Sequence, residues 1–264
     1  MELGGKCPAV VLDDANLQQA ATLCAKGALL HHGQICFSTE RIIVQRSVAE
    51  KFKELLVKVS PPDSTLHFLT RSQSRNSQPQ QAASETSGGI AVHSGIASHA
   101  YDVLEDAKSH GCNFLHGSAS YANSSKTAVV PAIVEVDASA SANDLRIVDE
   151  ETFGPSASLY VVSTDAEAVE LANRSVYGLN ATVHTTNLER GLRVAREIEC
   201  GQVHINSITV YTSPSGPQGG RTGRQSGWGR QNAMWGIEEY LVSLCIVGNG
   251  DRGFKNGCAD SWIG

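Results

Sequence analysis

Three short stretches carry residue types and spacings that could do covalent chemistry. The first is HHGQICFSTER, residues 31 to 41. It sets Cys36 behind Gly33 and Gln34, a flexible pair without bulk or branching near the backbone, and ahead of a strand. A cysteine just past such a break can present its sulfur and its own backbone N–H to one small molecule, so that the nucleophile carries an oxyanion donor. A thiol used this way needs a lowered pKa and access to substrate. The second is MELGGK, in which Glu2 stands beside Gly4 and Gly5. A partly desolvated carboxylate in a glycine turn can act as a general base. The third is Glu150-Glu151-Thr152-Phe153-Gly154-Pro155. A carboxylate ahead of a Gly-Pro turn can accept two hydrogen bonds from sugar hydroxyls, with the nearby ring as a flat wall. Each stretch has a plainer reading: a buried filler cysteine, a solvated glutamate at a chain end, and a surface acidic pair entering a turn.

Other chemistries find no pattern. PQGGRTGRQSGWGR, residues 217 to 230, is glycine-rich but lacks GxxxxGK[ST] and the strand–turn–helix setting of GxGxxG, so a tie between the last strand and the domain is the better expectation. No metal site is expected. His31 and His32 are adjacent and point apart, His184 and His204 fall on separate expected strands, and HExxH and paired CxxC are absent. GxSxG is absent too. The 21 basic and 27 acidic residues give a net charge of −6 with no basic run, which argues against nucleic acid and anionic membrane as partners. No stretch reaches the apolar length of a membrane span, and the first residues do not read as a signal peptide. Seven widely spaced cysteines, an odd number, argue against a disulfide scaffold and for a reducing compartment, the cytoplasm.

These residues need elements to position them. Residues 8–13 (PAVVLD) predict a buried strand, and Asp14 or Asn16 caps a helix over 17–31 with small residues on its inner side. Residues 41–45 predict a strand, and Ser47 caps a helix over 48–58 with Val48, Phe52, Leu55 and Leu56 as its apolar face. Residues 60–89 are rich in Ser, Gln and Pro and read as a surface loop or disordered insert. A helix over 98–109, a strand NFLHG and a strand-like AVVPAIVEV over 128–136 follow. Then come a strand over 158–163, a helix begun by Ser163 or Asp165 and ending near Asn173, a strand over 179–184, a helix over 187–199 and a strand over 202–206. Such alternation predicts an α/β layered domain.

Taken together, the motifs resemble one family. MELGGK, GQICFSTERIIVQ and DEETFGP, followed by YGLNATVHT, ECGQVHIN and SGWGRQNAMWGIEEY, resemble in order the catalytic half of an aldehyde dehydrogenase, over residues 1–58 and 96–247. The 34-residue separation of Glu2 and Cys36 is also the family's. Within the family, HHGQICFSTER looks most like fungal members acting on aromatic aldehydes such as vanillin or salicylaldehyde. The resemblance implies Cys36 as nucleophile, Glu2 as general base, Glu151 on the nicotinamide-ribose hydroxyls and Phe153 against the nicotinamide. It implies NAD or NADP as cofactor, a small aldehyde as substrate, and self-association or association with a full-length relative.

The expected fold is the thiol-bearing catalytic domain of that family, residues 1–247, with the N-terminal dinucleotide-binding domain missing. With that domain would go the asparagine that completes the family's oxyanion hole. Residues 60–93 depart from the family as a low-complexity insert, PQGG replaces the family's PFGG, and 248–264 form a divergent polar tail. The activity expected is oxidation of an aldehyde to its acid. The alternative is an impaired remnant that serves as an interaction partner, has no activity, or keeps only ester hydrolysis through Cys36 and Glu2.

Overall fold

The computed structural model describes residues 1–60, 89–210, 215–242 and 244. Most of the low-complexity run and all of the tail lie outside the described residues. One seven-stranded sheet organises the rest. Its strands are β1 (Cys7–Val11), β2 (Thr39–Gln45), β3 (Asn113–His116), β4 (Ala132–Glu135), β5 (Ser156–Val162), β6 (Asn180–His184) and β7 (Gln202–Ile205). The spatial order is β3-β4-β5-β2-β1-β6-β7. All neighbours run parallel except β3 against β4. Parallel neighbours require crossovers. The helices are α1 (Leu17–Leu29), α2 (Ala49–Val59), α3 (Ser94–Ser109), the single turn α4 (Arg146–Asp149), α5 (Asp165–Asn173), α6 (Leu188–Glu197) and α7 (Ala233–Glu238).

A parallel sheet covered on both faces needs apolar side chains in both directions. That explains the unbroken runs AVV and RIIV, buried at every position. Val10 and Ile43 point into one core, with Val103 and Leu104 of α3 and Leu171 of α5. Ala9, Val11, Ile42 and Val44 point into the other, with Ala20, Cys24 and Ala28 of α1 and Phe52 and Leu56 of α2. The small inner residues of α1 let that helix lie close to the sheet. No helix among the described residues is long and apolar enough to cross a membrane.

The helix starts need correction. Asn16 caps α1, its side chain accepting from the Gln19 N–H at 3.2 Å, whereas Asp14 accepts from the loop after β6, including Thr185 Oγ1 at 2.7 Å. Ser47 caps nothing: a 3₁₀ turn over Arg46–Val48 leads into α2, and no side chain bonds its first amides. Thr164 caps α5 in place of Ser163 or Asp165. Its Oγ1 accepts from the Glu167 N–H at 3.1 Å while the Glu167 carboxylate accepts from Ser163 N at 2.7 Å. The Thr-x-x-Glu spacing of a reciprocal cap was present in the sequence. α3 begins at Ser94, four residues earlier than the pattern suggested, because the His93 ring accepts from the Gly95 N–H at 3.0 Å. AVVPAIVEV pairs as a ladder only over Ala132–Glu135, since Pro131 has no N–H to donate.

The two edges of the sheet differ. At the carboxyl ends of β1, β2, β5 and β6 the Arg190 guanidinium joins Asp13 at 2.6 Å, Asp14 at 3.1 Å, Asp165 at 2.6 Å and Gln45 at 3.3 Å. In open α/β sheets that edge is the usual ligand site. Here a charge network fills it, and the residues singled out for chemistry all lie at the amino edge, just before β1, β2 and β5.

Candidate active site

The chain reaches Cys36 through a tight reversal between α1 and β2. His31, His32 and Gly33 all hold left-handed backbone, at φ 51°, 61° and 72°. His32 is buried and its Nε2 accepts from Val129 N at 3.2 Å. Burial lowers its pKa to about 4, so the ring stays neutral. Gly33 passes so close to the Gly154 carbonyl that an added Cβ would sit 1.9 Å from the oxygen. The Gly-Gln pair is therefore no flexible joint. Gln34 is pinned at both ends of its amide, accepting from Val92 N at 2.9 Å and donating to His31 O at 3.1 Å and Ile90 O at 3.0 Å. Ser38 closes the turn with Oγ on Gly33 O at 3.1 Å. Gly33→Ala should cost roughly 1–2 kcal/mol for left-handed backbone and a similar amount for displacing Gly154. A denaturant midpoint at the wild-type value would contradict this.

Cys36 is half-buried, in a pocket also lined by Glu2, Gly4, Phe37, Leu179, Ser226, Trp228 and Gln231. Burial pushes the thiol above its ordinary pKa, and the negative charges of Glu2 and Glu151 push it further. The backbone N–H groups of Cys36 and Phe37 act in the opposite direction. Without a neutralising partner this thiol stays mostly protonated at neutral pH.

Glu2 is exposed and held by the glycine-rich loop. It forms an antiparallel bridge with Gly227. Its neighbours follow, with Leu3 N donating to Ser226 O at 3.1 Å and Trp228 N to Met1 O at 3.1 Å. Gln231 Nε2 donates to Glu2 Oε1. The loop expected only to tie down the last strand therefore forms a wall of the thiol pocket. Because the Glu2 charge disfavours the thiolate, Glu2→Gln should lower the Cys36 pKa. Alkylation of Cys36 by iodoacetamide at pH 8 should then run a few-fold faster. A slower rate would show that Glu2 does not act on the thiol as an uncompensated charge.

The glycine pair of MELGGK separates the thiol from a second carboxylate. Gly4, at φ 92°, faces Glu151, where a Cβ would lie 2.3 Å from Oε2. Gly5 faces the Cys36 carbonyl, where a Cβ would lie 2.6 Å from the oxygen. Gly5 N donates to Glu151 Oε1 at 2.9 Å. Burial raises the Glu151 pKa and the Gly5 N–H opposes it. Phe153 is half-buried, its backbone left-handed at φ 48°. Glu2 and Cys36 thus share one pocket at the amino edge of β1 and β2, with Glu151 across the Gly4–Gly5 turn and Phe153 following on the same segment as Glu151.

Sequence reasoning missed the pair that ties this edge together. Lys6 and Glu40 are buried and joined at 2.7 Å. A lysine ending MELGGK and a glutamate opening a strand read as surface charges. The only signal was their 34-residue separation, the same as that of Glu2 and Cys36.

An addressable thiol, a carboxylate on the same pocket and a second carboxylate across a glycine turn suit covalent acyl chemistry beside a polyhydroxylated ligand. Comparison with known proteins places the chain. The sequence pattern of the aldehyde dehydrogenase family matches residues 1–244. The chain is 34% identical over 240 residues to a salicylaldehyde dehydrogenase of Pseudomonas sp. strain C18, covering 91% of this chain and 45% of that protein. It resembles the crystal structure of salicylaldehyde dehydrogenase from Pseudomonas putida G7 complexed with salicylaldehyde, with TM-score 0.74, 32% identity and coverage of 90% of this chain and 45% of that one. It also resembles betaine aldehyde dehydrogenase from Staphylococcus aureus in complex with NAD+, with TM-score 0.77, 28% identity and coverage of 91% and 44%. The chain spans about half the length of the relatives it matches. These matches show that the chain belongs to the aldehyde dehydrogenase family.

Proposed function

We propose that this chain is the thiol-bearing part of an NAD- or NADP-dependent aldehyde dehydrogenase that converts an aromatic aldehyde to its carboxylic acid. The observation that carries the reading is the shared pocket of Cys36 and Glu2, with Glu151 just across the Gly4–Gly5 turn. In this reading the Cys36 thiol first gives up its proton to solvent water, the minor thiolate fraction adds to the aldehyde carbon, and the backbone N–H of Cys36 donates to the oxygen that becomes anionic. NAD or NADP, when bound, supplies the acceptor for the hydride that leaves that carbon. The product on sulfur is a thioester. Glu2 then takes a proton from water, the hydroxide adds to the thioester, and the acid departs as the thiolate returns. Sulfur suits both halves, since it attacks readily and leaves as a stable anion.

The residues present fit the nicotinamide-ribose end of such a cofactor. Glu151 is half-buried, and its Oε2 lies against a glycine whose missing Cβ leaves it room. Phe153 offers a half-buried ring on the same segment. The aromatic substrate class rests on the salicylaldehyde dehydrogenases among the relatives. A fungal affiliation has only the HHGQICFSTER motif behind it. We assign residues 1–247 to the catalytic domain, with the dinucleotide-binding domain in the part of the relatives this chain does not cover. All five described cysteines are free thiols, as suits the cytoplasm. Trp228, Met234, Trp235, Ile237, Tyr240 and Leu241 are exposed, which suits association with another copy or with a full-length relative.

A second reading has its own support. Cys36 and Glu2 share a pocket built wholly from described residues, whereas Glu151 and Phe153 grip one end of a cofactor only. Ester hydrolysis without cofactor is then the activity this chain keeps. The test is to incubate the purified, folded chain with salicylaldehyde or vanillin and NAD or NADP, and in parallel with an activated ester. Cofactor reduction supports the first reading, and Cys36-dependent ester hydrolysis alone supports the second. A folded chain that does neither overturns both.

A further inference from the structure

The buried pair Lys6–Glu40 takes no part in the steps above, and its contacts point one way. Lys6 follows the Gly4–Gly5 turn, and Glu40 lies in β2 four residues beyond Cys36. Lys6 Nζ donates to Glu40 Oε2 at 2.7 Å, to the Glu150 carbonyl oxygen at 2.6 Å and to Thr152 Oγ1 at 3.1 Å. The Glu40 carboxylate accepts from Thr152 N at 2.8 Å on one oxygen and from Phe153 N at 3.0 Å on the other. Beyond each other, the charged groups of both residues bond only to the segment 150–153 among the described residues.

That segment carries Glu151 and Phe153 on either side of the buried Thr152. Left-handed backbone at Phe153 is unfavourable for a residue with a Cβ and persists only where its surroundings enforce it. The Glu40 carboxylate does so by taking two successive amides on its two oxygens. A buried ion pair by itself is poor evidence for stability, since apolar replacements often serve as well. Two acceptor atoms matched to two successive N–H groups suggest orientation as its use.

We propose that Lys6 and Glu40 are positioning residues that hold segment 150–153 and thereby aim the Glu151 carboxylate and the Phe153 ring at the cofactor. The proposal rests on the reading of Glu151 and Phe153 as the cofactor grip.

The test is amide hydrogen exchange on the whole chain, joined to calorimetric titration with NAD. Glutamine matches the size of Glu40 but turns one acceptor into a donor facing a donor. Glu40→Gln should speed exchange at Thr152 and Phe153 by about tenfold or more, while Val10 and Ile43 in the strands keep wild-type rates. NAD should bind about tenfold more weakly. If this variant does not fold, Lys6→Met/Glu40→Gln leaves no unpaired charge and carries the same expectations. Unchanged exchange at Thr152 and Phe153 overturns the proposal. So does acceleration shared equally by Val10 and Ile43, which would mark a merely structural pair. Faster exchange with unchanged NAD affinity also overturns it, because the segment would then not aim the grip. If the wild-type chain binds no NAD, the cofactor reading fails, and the exchange rates alone decide whether the pair holds the segment.

Discussion

On the proposed function, Cys36→Ala should abolish turnover, whether the assay is aldehyde oxidation or ester hydrolysis, with a loss on the order of 10⁴-fold or more. In the proposed function the reacting carbon is held on this sulfur from the first addition until the acid is released, so no other group can substitute. The change removes one half-buried atom from a turn held by Ser38 and Gln34, and the fold should tolerate it. Cys24→Ala is the matching control. That thiol is fully buried between α1 and β6, lies 3.9 Å from His184 Nε2 and has its pKa pushed up to about 12 by burial. It does not line the Cys36 pocket, so its loss should leave activity within about twofold of wild type. Steady-state rates on both variants, with circular dichroism as the folding check, decide the matter. Residual turnover in Cys36→Ala near that of wild type would remove the thiol from the chemistry and the proposed function with it.

Lys6→Met should be the most damaging single change to stability among the site residues, costing about 3–5 kcal/mol. For a domain of this size that lowers the melting temperature by roughly 10 °C. The Lys6 side chain is 0% exposed and that of Glu40 3%, so removing the ammonium leaves a carboxylate without its counter-charge and out of reach of water. The Glu150 carbonyl and Thr152 hydroxyl lose a donor at the same time. Lys6→Met/Glu40→Gln should be less destabilised than Lys6→Met alone, because the unpaired charge goes with the second change. Contrast the exposed pair Lys51–Glu54, whose side chains are 64% and 69% accessible. Breaking it should cost less than about 1 kcal/mol. Chemical denaturation of the three variants measures the ranking. A Lys6→Met protein as stable as wild type would mean that water reaches Glu40, and the pair could not then hold the segment 150–153 in the way argued above.

Much of this protein was legible in its sequence, for a physical reason. Parallel strands buried on both faces leave continuous apolar runs, so β1, β2, β5 and β6 stand out, and helical periodicity marks the crossovers between them. The adjacency of β1 and β2 also turns a linear spacing into a spatial one. Cys7 pairs with Thr39 and Pro8 with Arg41, so residues just before β1 meet those some 32 to 34 positions later. That register brings Glu2 to Cys36, and equally Lys6 to Glu40. What the sequence by itself determined is therefore the order of elements and the placing of Glu2 near Cys36, because these depend on local pattern and on one strand pairing.

Tertiary structure alone decided the rest. Burial is a property of the folded environment, so Lys6 and Glu40 became an interior pair only when the segment 150–153 was packed over them. Glu151 turned onto the Gly4–Gly5 backbone because the start of β5 lies beside that of β2, a neighbour relation no local pattern encodes. The loop 217–231 became a pocket wall because Glu2 pairs with Gly227 across more than two hundred residues. At the opposite edge Arg190 draws Asp13, Asp14 and Asp165, which are far apart in sequence, into one network. Charge and residue type can be read one position at a time, but which charges lose their water is set by contacts between distant parts of the chain.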